Sequence, residues 1–142
     1  MIGAQIEEGR GKRTGRRLIA TQPSVKVEAS VEETATLLGV EGTSIITYTA
    51  HIKPDGSLDG EGEGIFLSQG ATVTWKGIGV GRLREDGSIL YTGSISFTTT
   101  SEKLAKLNQL SAVFEWEIDA QGNTHSKMWE FVPASATRST TA

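Results

Sequence analysis

Two neighbouring runs of the chain place glycine at every second position: Gly60-Glu61-Gly62-Glu63-Gly64 and Gly77-Ile78-Gly79-Val80-Gly81. A spacing of two is the side-chain period of a β-strand, so each run gathers its glycines on one face and its side chains on the other. Glycine inside a strand costs roughly 0.5–1 kcal/mol relative to alanine, so the two runs forfeit on the order of 3–6 kcal/mol of a small domain's stability. The fold must require a wall without side chains.

The rest of the chain reads as strands and tight turns. Pro54-Asp55-Gly56-Ser57 and Glu85-Asp86-Gly87-Ser88 are Asp-Gly turns, Gln69-Gly70 is a two-residue turn between them, and Ala120-Gln121-Gly122-Asn123 closes a later hairpin. Strands are expected over about 43–53, 57–68, 71–84, 88–99, 111–119 and 124–132. Upstream, Val25, Val27, Ala29 and Val31 alternate with polar residues, and the alternation either continues through Ala35 and Leu37 or breaks at Glu33-Thr34. Gly39 and Gly42 bracket the turn that follows. Residues 2–8 read as a short strand. Arg10, Lys12, Arg13, Arg16 and Arg17, punctuated by glycine, then read as a solvated loop, with a grip on phosphate or RNA as the alternative.

One interruption is helical. Thr99 and Glu102 stand at capping-box spacing, and Leu104, Leu107 and Leu110 recur every third residue, which predicts a short helix near residues 101–108 that plugs one barrel end. Residues 133–142 carry nothing to bury and read as a flexible tail after a single domain over 1–132. About eight strands joined mostly by hairpins predict an all-β, antiparallel up-and-down barrel, since closure removes exposed edges.

Composition removes several classes of function. With no cysteine there is no disulfide, zinc–thiolate site or cysteine nucleophile. Residues 1–20 have no apolar signal core and no stretch is long and apolar enough to span a membrane, so a cytoplasmic protein is expected. The net charge of −3 gives no overall attraction to nucleic acid. His51 and His125 have no evident third ligand, so neither a metal nor a cofactor is expected. The Gly77-x-Gly79-x-Gly81 spacing is not followed by a helix and therefore lacks the phosphate-binding mechanism of a dinucleotide fingerprint.

The turns fix the register and hence the faces. Tyr48 is expected opposite Gly62, Gly62 opposite Gly77, Gly60 opposite Gly79, Gly79 opposite Gly93 and Gly77 opposite Ile95. The glycines then form one bare patch on the inner face, framed by aromatic residues. In the last hairpin Phe114 is expected opposite Trp129, with Trp116 beside Lys127. The bare patch has two readings: room for a ligand, or seats over which Tyr48 or Tyr91 lie. The ligand reading assigns Tyr48, Gly62, Phe66, Trp75, Gly77, Tyr91, Phe97, Trp116 and Trp129 to the site, and a small apolar or aromatic molecule to its lumen. On the outer face, His51 with Asp59 and Glu63 with Lys76 are expected as charge pairs. Glu115, Glu117 and Glu130 are expected there as an acidic patch. Ile65, Leu67, Ile78, Val80 and Leu90 share that face and suggest a contact between identical subunits.

The strings Gly60-Glu61-Gly62-Glu63-Gly64, Trp75-Lys76-Gly77-Ile78-Gly79-Val80-Gly81-Arg82, Ser101-Glu102-Lys103-Leu104-Ala105-Lys106-Leu107-Asn108, Val113-Phe114-Glu115-Trp116-Glu117 and Trp129-Glu130-Phe131 resemble a family of short prokaryotic proteins with no assigned activity. In architecture the expected barrel is similar to those of allene oxide cyclases, dirigent proteins and lipocalin-like proteins. That resemblance implies binding of apolar or phenolic molecules and, in some members, cyclisation steered by shape. None of their catalytic motifs is matched, and fold alone does not assign function. The readings that follow are a ligand-binding barrel, a cyclase or isomerase with Tyr48 or Tyr91 as its polar contact, and a filled barrel acting through its outer strands.

Overall fold

A computed structural model describes residues 1–135. Eight antiparallel strands follow one another around a closed barrel: β1 (Ile2–Ala20), β2 (Lys26–Leu37), β3 (Val40–Ile52), β4 (Leu58–Ser68), β5 (Ala71–Leu83), β6 (Ile89–Thr99), β7 (Ser111–Ile118) and β8 (Asn123–Phe131). β1 pairs with both β2 and β8 and closes the sheet. The expected up-and-down barrel is the observed fold. Among the described residues no helix is long and apolar enough to cross a membrane. The tail expected over 133–142 lies outside the described residues from 136 onward.

Three hairpins share one construction. Lys53 N–H donates to Ser57 O, Arg84 N–H to Ser88 O and Asp119 N–H to Asn123 O, at 2.8, 2.8 and 2.9 Å. Just before each closing residue, Gly56, Gly87 and Gly122 take φ of 86°, 85° and 86°, a backbone that only glycine adopts without strain. The turn aspartates brace the loops: Asp55 and Asp86 accept from the N–H of Ser57 and Ser88, and Asp119 accepts from the N–H of Gln121 and Asn123.

The third of these loops corrects the expected register of the last hairpin. Because Gly122 occupies the seat of Gly56 and Gly87, the loop closes between Asp119 and Asn123, and the pairing slips by one residue. Phe114 stands opposite Met128, Trp116 opposite Ser126 and Val113 opposite Trp129. Thr124, Ser126 and Met128 therefore turn inward and Trp129 turns out. Glu130 is displaced in the same way. It leaves Glu115 and Glu117 on the outer face and meets Lys106 at the barrel end, 3.8 Å away.

β1 runs straight through the basic segment expected as a loop. Its partner supplies the reason: β2 is unbroken from Lys26 to Leu37, so every residue of the basic segment except Thr14, which bulges out of the ladder, has a neighbour, with Arg17 opposite Glu28 and Lys12 opposite Glu32. Cross-strand pairs of opposite charge support this pairing. β3 starts at Val40 because the turn is Leu38-Gly39, with φ of 48° and 80°, and not a loop reaching to Gly42. The helical interruption is a 3-10 helix, Ala105–Gln109. Asn108 holds it, accepting from Thr99 N–H at 2.8 Å and donating to Thr99 O at 2.9 Å, so the expected Thr99–Glu102 capping box does not form. Leu104 and Leu107 are fully buried and seal the lower end against Phe66, Val73 and Phe97. A second apolar cluster, including Val31, Ile46, Tyr48, Tyr91 and Ile118, occupies the upper half.

On the outside, Glu63 and Lys76 pair at 3.5 Å as expected, whereas Asp59 takes Lys53 at 3.3 Å in place of His51. Leu67, Ile78 and Val80 are exposed, and Ile65 and Leu90 are half-buried.

Candidate functional site

The central registers stand as the turns dictate: Tyr48 opposite Gly62, Gly62 opposite Gly77, Gly60 opposite Gly79 and Gly79 opposite Gly93. Much of the bare floor is a set of seats for rings. A Cβ on Gly64 would fall 2.3 Å from the Trp75 ring, and one on Gly60 or Gly81 would fall 3.0 or 2.6 Å from the Tyr91 ring. Between the two apolar clusters a cavity of about 60 Å³ remains. Gly62, Gly77 and Gly79 form its floor, and Tyr48, Trp75, Tyr91 and Trp116 stand in its walls. The rings of Tyr48, Tyr91 and Trp116 form a cluster, with Tyr48 edge-on to Trp116 at 4.9 Å and to Tyr91 at 5.8 Å between centroids. Of the expected site residues, Phe66 and Phe97 lie in the lower core and do not line this cavity, and Trp129 is on the other face of β8.

The opposite wall carries two carboxylates absent from the expected site, Glu7 on β1 and Glu33 on β2, only 5% and 2% exposed. Glu33 Oε2 accepts from Thr124 Oγ1 at 2.6 Å and from Trp116 Nε1 at 3.0 Å. Ser126 Oγ stands between the two acids, 2.9 Å from Glu33 Oε1 and 2.9 Å from Glu7 Oε2. A hydroxyl has one proton and cannot donate to both. The arrangement closes if Glu7 is protonated and donates to Ser126 Oγ, which then donates to Glu33. The electrostatics agree: burial first, and then the charge of Glu33, push the Glu7 carboxyl up to about 8, against the opposing pull of Ser126. Gly9 makes the space, since a Cβ there would lie 2.8 Å from both Glu33 Oε1 and Ser126 Oγ. Every buried side-chain polar atom among the described residues has a partner. Burial also raises the pKa of Tyr91 and of Tyr48; at Tyr48, Arg13 and Arg16 pull the other way.

A signal for Glu33 was present in the sequence. Val31, Glu33, Ala35 and Leu37 share one parity, so an unbroken β2 puts Glu33 inside. Glu7 gave none. Irregularities in β1 between Ile2 and Gln5 and between Gln5 and Glu7 shift its alternation, so that Ile6 and Glu7 are both buried. Among the described residues no three His, Cys, Asp or Glu side chains converge as metal ligands.

This barrel has counterparts among solved structures. A conserved protein of unknown function from Rhodopseudomonas palustris superposes with a TM-score of 0.77 at 12% identity, over 90% of this chain and 95% of the other. A protein of unknown function from Clostridium acetobutylicum superposes with a TM-score of 0.79 at 12% identity, over 91% and 95%. At these identities the likeness is one of fold. No protein-family model and no curated protein matches the sequence.

Proposed function

We propose that the barrel binds a small apolar or aromatic molecule in its lumen and that the Glu7–Glu33 pair offers a polar contact at the inner end of that space. The observation that supports this reading is a cavity lying between an aromatic cluster and a buried pair of carboxyl groups bridged by Ser126. A protonated Glu7 donates to a ligand carbonyl or hydroxyl, and Glu33 accepts from a ligand hydroxyl or amine. The cavity is small beside the roughly 300–1,000 Å³ of a drug-sized site, so its guests are compact, single-ring molecules or smaller, with Trp116 or Tyr48 swinging to admit the larger ones. We place the protein in the cytoplasm, as an oligomer of identical subunits meeting through the outer strip Ile65, Leu67, Ile78, Val80 and Leu90.

Phenol, benzyl alcohol and indole titrated by saturation-transfer NMR and calorimetry test the reading. Binding is expected for at least one of them. Gly77→Ala is expected to weaken it about fivefold or more, because the added methyl enters the cavity, while thermal stability changes by no more than about 1 kcal/mol. Failure of all three compounds to bind would falsify the proposal and favour the filled barrel.

The acid pair also favours a second reading, a cyclase or isomerase of the allene-oxide-cyclase-like barrel type. An acid and its conjugate base facing one cavity are the minimum for moving a proton between two substrate atoms. In that reading Glu7 and Glu33, and not Tyr48 or Tyr91, touch the reacting atoms. Turnover lost in both Glu7→Gln and Glu33→Gln, with ligand binding kept, separates catalysis from binding.

A further inference from the structure

The basic segment of β1 has a role that its cross-strand pairing does not exhaust. Arg13 stands opposite Val31, and after an irregularity at Thr14, Arg16 stands opposite Ala29. Val31 and Ala29 are inner-face residues of the upper core, and Ala29 in turn stands opposite Tyr48. Residues opposite one another share a face. Arg13 and Arg16 therefore rise from the inner side of the sheet at the upper mouth of the barrel, one row apart, above Tyr48. Arg13 is half-buried, with its N–H donating to Gly122 O at 2.8 Å and its side chain lying along the β7–β8 turn. Arg17, Arg10, Lys53, Lys76, Arg84 and Lys106 each have a carboxylate within 4.0 Å, whereas Arg13 and Arg16, like Lys12, Lys26, Arg82, Lys103 and Lys127, have none among the described residues. Two guanidiniums on the inner side of the rim, left without counter-charge in a chain whose net charge is −3, are an arrangement that attracts an anion.

Deepening the lumen-binding reading and resting on it, we propose that the ligand is a small organic monoanion, an aromatic carboxylate or its like, whose charge is held by Arg13 and Arg16 at the mouth while its ring lies on Tyr48 and Trp116. Tyr48 joins the two halves, for its side chain lines the cavity and stands under Arg16 in the same row across the sheet. The acid pair lies deeper in the barrel. Its net charge disfavours burying the anionic end beside it and sets the ligand's direction, charged end outward.

Benzoate and benzamide, equal in shape and different in charge, provide the test on the full chain. Benzoate is expected to bind about tenfold more tightly than benzamide at low ionic strength, and the preference to shrink as salt is raised. Arg13→Gln and Arg16→Gln are expected to bring benzoate down to the level of benzamide and leave benzamide binding as it was. Arg17→Gln, in which the Glu28-paired arginine is removed, is expected to leave the preference intact. Equal binding of the two compounds to the wild-type protein, or a preference that survives both arginine substitutions, overturns the anion site and leaves lumen binding standing. If neither compound binds and the neutral single-ring compounds also fail, both proposals fall together.

Discussion

Glu7→Gln is expected to flatten the dependence of stability on pH, with its largest effect near pH 8. In the folded protein the Glu7 carboxyl titrates at about 8, against an ordinary value of 4.5. A folded-state pKa above the unfolded one means that the native state holds a proton the unfolded chain has released, so the contribution is fully present below about 4.5 and is lost as pH rises through 8. At about 1.4 kcal/mol per unit, the wild-type protein should lose on the order of 5 kcal/mol across that window. Glutamine stays neutral throughout, and its amide donates to Ser126 as the protonated acid does. Urea unfolding at pH 5, 6.5 and 8 should give near-equal stabilities at the acid end and a variant several kcal/mol more stable at pH 8. The Glu8–His125 contact, 2.6 Å long, is present in both proteins and cancels in their difference. Parallel profiles for the two proteins would show that Glu7 is ionised in the native state and that the proton-sharing arrangement is wrong.

The second large effect lies in the glycines, and it separates those the backbone requires from those the cavity uses. A Cβ on Gly93 would fall 2.0 Å from Ile78 O and 2.6 Å from Gly79 Cα, both backbone atoms of β5. Neither can yield without parting β5 from β6. Gly93→Ala is therefore expected to cost about 3 kcal/mol or more, a fall in Tm on the order of 10 °C. A Cβ on Gly77 meets Ser94 O at 3.3 Å and nothing else nearer than 3.7 Å. There the gain from replacing a strand glycine offsets a slight displacement. Calorimetry of the two variants side by side gives the comparison, and similar melting temperatures would contradict the close strand approach at Gly93.

Local chemistry made most of the barrel legible. The Asp-Gly turns and the two-residue Gln69-Gly70 turn announce their own geometry, and through them the β3–β4, β4–β5 and β5–β6 registers can be counted without knowledge of the rest of the molecule. The same reasoning found the last hairpin but set its register one residue off, because Gly122 lacks an aspartate before it, although it takes the same positive φ as Gly56 and Gly87. The basic segment misled for a different reason. Taken alone it has the composition of a loop, and its strand state depends on the carboxylates of β2 and the backbone of β8.

The candidate site divides along the same line. Tyr48, Gly62, Trp75, Gly77, Tyr91 and Trp116 were reachable from alternation and turn-counting, because each lies on a strand whose parity its own hairpin sets. The acid pair was not. Glu33 required β2 to be continuous, Glu7 required two irregularities in β1, and their meeting required closure of β1 against both β2 and β8. Closure is a property of all eight strands together, and no window of sequence contains it. By itself the sequence determined a β-barrel with a side-chain-free wall, since glycine spacing and turn chemistry act within a few residues of themselves. Only the tertiary structure decided that rings cover much of that wall, that two carboxylates face the remaining space, and that two arginines without a carboxylate partner stand over its mouth.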